Sequence, residues 1–388
     1  MRDSRIAEFS LAGGPLHRLG ARIGLVHGGT NTTRMGWALG LSAWSVLVLL
    51  AFLQGAGSRV FALDVIGAHV RFLVAIPLFF IGETVVVPRM AEFVREIVNS
   101  GLIPGTELPK LDSLIRRIVR VKDSWIPEAL LFLISFILPL IMPAIMAPTG
   151  AGNWGGGMVQ GDGHETWIKG WYLGFCIPLF RFLLMRWIFR LALWWFFLWR
   201  VAKLDLKLVP THPDGSGGLG FLEVVQSHFS PLMVAISAVY SASFAESIST
   251  GTMPFEALGR MIPMVLILEA VLFIAPLFLF SSKLWLCRVN GWSDYMAMAS
   301  RYVEAFDRKW IRDENATGDS QLGTGDLQSL ADLNNSLSVV RDMRVVPTSR
   351  RLVTGLAASV LLPMVPLLAL KYPVDELVKR LFQTLTGL

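Results

Sequence analysis

Charge is scarce in this chain. Asp, Glu, Lys and Arg make up only 16% of its 388 residues, against about a quarter in ordinary soluble domains. With hydrophobic residues at 53% and a mean hydropathy of +0.55, that deficit excludes a soluble globular protein and points to a polytopic membrane protein. Cysteine is nearly absent. Cys176 and Cys287 lie in or beside apolar runs without metal or redox spacing, which excludes a disulfide framework and a cysteine zinc site. No cofactor is expected. No aromatic-basic module for RNA or DNA is visible, so nucleic acid is not an expected partner. No internal repeat is evident, and with it the inverted-repeat signature of many secondary transporters is missing. The first apolar run, 36–54, has no convincing cleavage site, so it is expected to stay in the protein as a signal anchor.

What the chain has is apolar runs of spanning length, near 36–56, 66–87, 127–147, 170–190, 226–249, 261–281 and 352–371. The expected fold is all-α: a polytopic helical bundle of about seven spans with cytoplasmic amphipathic helices. Alternate connections (1–35, 88–126, 186–225 and 282–352) hold 27 Lys and Arg, and the remaining ones hold six. By the positive-inside rule the N-terminus is expected in the cytoplasm.

The expected organisation is a cytoplasmic N-terminal segment 1–35 and a membrane bundle 36–285 with a cytoplasmic insert 88–126 and a Gly-rich loop 208–222. A cytoplasmic helical segment 286–350 and a last span with an amphipathic tail, 351–388, complete it. In the insert, Leu111, Leu114, Ile115, Ile118 and Val119 recur at helical spacing, with Lys110, Arg116, Arg117 and Arg120 on the other faces. That pattern suits either a helix on anionic headgroups or one packed on other cytoplasmic segments. In 286–350, Ser293 to Trp310 reads as a helix, and Asp326 caps a second one running to about Met343. Pro363 and Pro366 predict a kinked or re-entrant last span. The stripe Val374, Leu377, Val378, Leu381, Phe382, Leu385 and Leu388 predicts a surface helix or a contact in a homo-oligomer.

Ionisable groups inside spans are costly unless paired or wetted, so each is a functional candidate. Arg181 and Glu269 fall near the middle of spans four and six, at a depth where they could pair. Arg71 and Glu246 lie toward the outer side, and Glu83 toward the inner side, where Arg186 or Arg190 could neutralise it. His69 reads as a satisfied interior histidine. In span five, Ala235, Ala238, Ala242, Ala245 and Ser249 form a small-residue seam, with Ser237, Ser241 and Ser243 adding hydroxyls. The seam favours close helix packing; it could also line a hydrated path edged by Tyr240 and Glu246.

Between an aromatic helix and span five runs Pro210-Thr-His-Pro-Asp-Gly-Ser-Gly-Gly-Leu-Gly220. Gly215, Gly217 and Gly220 satisfy G-x-G-x-x-G, and Leu204–Leu208 before them alternates like a short strand. The context of a dinucleotide site fails, because the following helix enters the membrane and no βαβ unit follows. The successive amides of Gly215, Gly217 and Gly218 could instead form a concavity for an anion. His212, Asp214, Glu223 and His228 could hold a divalent ion or pass a proton, or His212 and Asp214 could simply cap the next helix.

This loop, with Gly325-Asp-Leu-Gln-Ser-Leu-Ala-Asp-Leu-Asn334 and Leu362-Pro-Met-Val-Pro366, resembles an uncharacterised family of bacterial multi-pass membrane proteins over roughly the C-terminal half. The resemblance implies a bacterial inner-membrane location and carries no activity.

Three functions compete. A channel or transporter for an ion or small solute would use Arg181, Glu269, Glu246, Tyr240, Ser237 and Ser241 as its path. The loop (His212, Asp214, Gly215, Gly217, Gly218, His228) would be a gate or anion site. A lipid-modifying enzyme would use His212, Asp214 and His228 for acid-base chemistry and Arg186, Arg190 and Arg200 for a phosphate. A scaffold or sensor would dock a cytoplasmic partner on 286–350. The partners expected in any case are anionic lipid headgroups at the basic helices and further copies of the chain.

Overall fold

The computed structural model describes residues 9–26, 31–146, 166–312 and 325–372, with side chains left out at 58–59, 138–146 and 166. They are helical, and no strand occurs among them. A short helix α1 (Pro15–Arg22) precedes α2 (Thr33–Leu53), α3 (Leu63–Asn99), α4 (Leu108–Asp123) and α5 (Trp125–Met146). Then come α6 (Trp167–Val201), α7 (Phe221–Ser249), α8 (Phe255–Trp310), α9 (Gly325–Arg341) and α10 (Arg350–Leu370). Six of these, α2, α3, α6, α7, α8 and α10, are long and apolar enough to cross a membrane. The expected third span, 127–147, corresponds to α5, whose described apolar stretch Trp125–Ile137 is shorter. This is a multi-pass membrane protein.

Several helices outrun a bilayer core of about 30 Å. The 56 residues of α8 would measure about 84 Å at 1.5 Å per residue, so its second half projects as an arm. Proline sets where such long helices change course. Pro276 lacks an amide donor and crowds the preceding turn, and Ala275–Phe280 tightens to a 3-10 helix there. Pro363 and Pro366 do the same in α10, where Leu362–Leu370 is 3-10.

The helices of 286–350 begin earlier than expected, since the arm is continuous from Ser281 to Trp310. Asp326 is not a cap. It lies in the first turn of α9, and its carboxylate accepts from Lys309 Nζ (2.8 Å) and Trp310 Nε1 (3.0 Å), tying α9 to the arm. Helix α4 buries Leu111, Leu114, Ile115 and Ile118 against the protein, chiefly α6, so its apolar face is not on headgroups; Arg116, Arg117 and Arg120 point outward. The expected strand 204–208 is an extended link instead, held by one backbone bond from Lys207 N to the Leu102 carbonyl (2.8 Å). The amphipathic tail 374–388 and the loop 313–324 lie outside the described residues.

The core runs along α3, which packs on α2 and α7. The α7 seam is close-packed: Ala235, Ser237, Ala242 and Ala245 are buried against α3 and α10, and Ser237 donates to the Val360 carbonyl. His69 is satisfied, accepting from Trp44 Nε1 (2.8 Å) at Nδ1 and facing the Val60 carbonyl (2.6 Å) at Nε2.

Candidate functional site

Four groups of polar residues stand out: the Gly-rich loop, two ionic clusters within the bundle, and a lone carboxyl. In the loop, Gly215, Gly217 and Gly218 adopt positive φ (62°, 64° and 100°), a region open to glycine without strain. Their turn aims successive amides inward, as the sequence suggests, but the anion they meet is the chain's own. The Asp214 carboxylate accepts from Ser216 N (2.8 Å), Gly218 N (3.1 Å) and Gly220 N (2.7 Å), the last at the start of α7. His212 Nδ1 stands 2.8 Å from the same carboxylate. Burial works against the charge, yet these amides and His212 hold the Asp214 carboxyl below the ordinary carboxylate range.

From the other side Arg344 donates to the Asp214 carbonyl (2.7 Å) and to Glu223 (2.9 Å), which also accepts from Ser349. The loop is thus a clamp holding the α9–α10 link onto α7. His228 is not part of it; its ring turns back to the Val224 carbonyl (2.7 Å). No cluster of three or more His, Cys, Asp or Glu suited to a metal occurs among the described residues.

The first ionic cluster lies where the basic segments converge. Glu83 of α3 is 1% exposed and accepts from Arg186 Nη1 (3.0 Å) and Arg190 Nη2 (2.8 Å) of α6, the pairing expected from depth. Arg186 Nε also reaches Glu128 of α5 (3.1 Å). Two carboxylates and two guanidiniums cancel. A further donor is met by an element the sequence does not announce: residues 9–14 thread in as a strap. Arg186 Nη2 donates to the Gly13 carbonyl (3.1 Å), and Glu128 accepts from Leu16 N (2.9 Å). Lys122 Nζ bonds the Ala12 carbonyl (2.6 Å), and the buried Phe9 ring packs on Phe197 (4.8 Å between centroids).

The second cluster sits toward the other end of the same two helices. Each of α3 and α6 contains one π-turn, at Val70–Ala75 and Tyr172–Cys176, and each π-turn runs into Ile-Pro-Leu-Phe, at 76–79 and 177–180. Proline withholds its amide from the preceding turn, which accounts for the widened register. Arg71 and Tyr172, each six residues before its proline, meet: Arg71 Nη1 donates to the Tyr172 hydroxyl at 2.7 Å in full burial. Downstream, the Phe79 and Phe180 rings stack at 5.9 Å. Glu246 of α7 lies beside Arg71 and accepts from Gly67 N (2.7 Å). A Cβ at 67 would stand 2.5 Å from the carboxylate and would push it away from the Gly67 amide. Tyr172 escaped the sequence reading. Its signal was the repeated Ile-Pro-Leu-Phe with a long polar side chain six residues upstream.

Arg181 and Glu269 share a depth but not a partner. Arg181 lies in the fields of Arg71 and Tyr172, and its Nη1 is buried with no hydrogen-bond acceptor among the described residues. Glu269 is 0% exposed, with neither oxygen hydrogen-bonded among the described residues, and its electrostatic neighbour is Tyr240 of α7. The expected pair is therefore two separate groups. Ser241 and Glu246 are buried in α7.

Comparison of the chain with protein-family models, with curated proteins and with solved structures found no significant match in any of the three.

Proposed function

We propose that this protein is a channel or transporter for an ion or small solute, whose path follows the shared face of α3, α6 and α7. One observation carries the reading: two buried ionic clusters lie along the same helix pair with a stacked phenylalanine layer between them. Arg71 and Glu83 are twelve residues apart, about 18 Å along a helix, so the clusters are separate stations and not one ion pair. Charge within a membrane marks solute paths when it is not consumed by structure. The strap 9–14 over the inner cluster acts as a closure in this reading. In this reading the basic end is cytoplasmic, by the charge asymmetry, and the membrane is the bacterial inner membrane, by the resemblance of the C-terminal half. Outward Arg116, Arg117 and Arg120 face anionic headgroups, and copies of the chain associate.

Reconstitution into liposomes tests it. Flux of an ion or small solute through the wild-type protein should fall at least tenfold in Tyr172→Phe and Glu246→Gln. Tight vesicles across a panel of cations, anions and protons, or flux indifferent to both substitutions, would sink the proposal.

A scaffold role has one observation in its favour. The arm of α8 leaves Trp292, Met296 and Val303 exposed beside an open groove of about 430 Å³ lined by Ala299, Ser300, Glu304, Asp307 and Leu337. Co-purification of a stoichiometric partner that Trp292→Ala releases would establish it. An enzymatic role for His212 and Asp214 has less support, because both are engaged within the loop.

A further inference from the structure

We propose that Glu269 is a proton-binding site: its carboxyl takes up and releases one proton between α7, α8 and α10, and that proton is the ion coupled to transport. The inference rests on the transport reading for its purpose, and it names the ion.

Placement comes first. Val265, Glu269 and Phe273 recur every four residues and are buried (1%, 0% and 0% exposed), whereas Met264, Ile267, Leu268 and Val271 are exposed. The carboxyl therefore lies on the protein-facing side of α8, with an apolar side chain one turn to either side. That stretch packs on α10 and α7, and Phe273 meets Phe229 of α7 at 5.3 Å between centroids. Glu269 is eleven residues beyond Leu258, about 16 Å, near the middle of a hydrocarbon core of about 30 Å.

No counter-charge meets it. Helix α10 carries no charged side chain over 352–370, its Arg350 and Arg351 are exposed, and Thr354 and Ser359 donate to carbonyls of their own helix. On α7, Ser237 donates to the Val360 carbonyl and Glu246 accepts from Gly67 N, which leaves Tyr240 as the titratable group in the field of Glu269. From α6, Trp195 Nε1 bonds the Leu272 carbonyl (3.1 Å), while Arg186 and Arg190 are committed to Glu83. Within α8, Arg260 is exposed, Glu256 pairs with Lys371, and Lys283 donates to the Leu204 carbonyl. Both Glu269 oxygens are buried without a hydrogen-bond partner among the described residues.

Of the ions a carboxyl can hold, these surroundings suit the proton. An isolated carboxylate in an apolar interior is strongly destabilised and neutralises by taking one up. Calcium or magnesium would need about six oxygen ligands, whereas a proton needs a single oxygen. Proline provides for movement. Pro263 and Pro276 interrupt the hydrogen-bond ladder of α8 on either side of Glu269, so the turn between them can tilt and expose the carboxyl. The described conformation is then the occluded form.

Infrared spectroscopy of the purified protein at neutral pH tests the site. Wild type should show the carbonyl stretch of a protonated carboxylic acid that is missing from Glu269→Gln, and alkaline titration should convert it to carboxylate. No such difference between the two proteins overturns the site, and so does a band that never titrates, since the proton must leave as well as bind. Should Glu269→Gln not fold, Glu269→Asp, which keeps the acid and moves it, should shift the band; a band at the wild-type position overturns the site. Proteoliposomes holding a pH dye and driven by a potassium diffusion potential read the coupling. Proton entry should be lost in Glu269→Gln, and entry unchanged by the substitution overturns the coupling role. A Glu269 band without flux of protons or solute keeps the site and removes the transport reading, whereas solute flux without the band keeps transport and removes the site.

Discussion

The two ionic clusters share a pair of helices and differ in how fully they are satisfied. Around Glu83 the charges balance, each guanidinium hydrogen-bonds a carboxylate, and the strap's Gly13 carbonyl accepts from Arg186. Around Tyr172, Arg71 and Glu246 lie together, and Arg181 keeps a buried donor without an acceptor among the described residues. Both arrangements put charge where water is scarce, yet only the first is self-sufficient. A closed cluster fixes helices and chain entry. An open one has room in its chemistry for a solute. Burial of charge alone therefore does not separate the two clusters; the ion pairing of each guanidinium does.

The largest effect should come from breaking the closed cluster. Glu83→Gln removes the charge that Arg186 and Arg190 share, leaving Glu128 to serve both. Removing one member of a buried ion network costs about 3–5 kcal/mol, because the survivors stay buried and uncompensated. Denaturation in detergent should show that loss. Protease should also cut sooner within residues 9–22, because the strap hangs on the same charges through Gly13 and His17. A Glu83→Gln protein as stable as wild type would erase the contrast between the clusters.

The loop supplies a second closed knot, outside the apolar spans, where titration can be used. Asp214→Asn should cost about 2 kcal/mol, roughly one charge-assisted hydrogen bond to a partly exposed group. The sign with pH follows from the lowered carboxyl. Its contribution is complete above the unfolded value near 3.9 and fades as pH falls through the lower folded value. Wild type and variant should thus differ at neutral pH and converge in acid below the usual carboxylate range. A gap that widens on acidification would contradict the clamp geometry. The same substitution at Asp326 should do less. That carboxyl is also held below its ordinary value, by its hydrogen bonds to Lys309 and Trp310, but it sits in solvent. Faster hydrogen exchange in α9, with little change in global stability, is the expected result.

Depth was legible in the sequence and direction was not. Hydropathy and loop charge located the apolar runs, and counting residues put Glu83 level with Arg186 and Arg190, which do pair. The same count put Arg181 level with Glu269, yet Arg181 looks toward Arg71 and Glu269 toward Tyr240. Rise per residue fixes a position along the axis, while the partner depends on rotation about it and on which helices are neighbours. The strap was illegible for another reason. Phe9-Ser-Leu-Ala-Gly-Gly14 has no helical or strand period, and its hold comes from carbonyls, which every residue owns. In the loop, the glycines correctly implied inward amides; composition could not tell that Asp214 itself would fill them.

Arg181→Gln should give the smallest change in stability and the most telling one. At Glu83 a substitution leaves opposite charges stranded; at Arg181 it removes a charge that has no ion-pair partner within the described bundle. The desolvation cost of that guanidinium and its repulsion with Arg71 both vanish, while glutamine keeps a shorter polar side chain in the same place. Stability in detergent should therefore stay within about 0.5 kcal/mol of wild type or rise, the scale of a substitution that breaks no paired feature. A marked loss of stability would mean that Arg181 has a structural partner, and the open cluster would be as closed as the other.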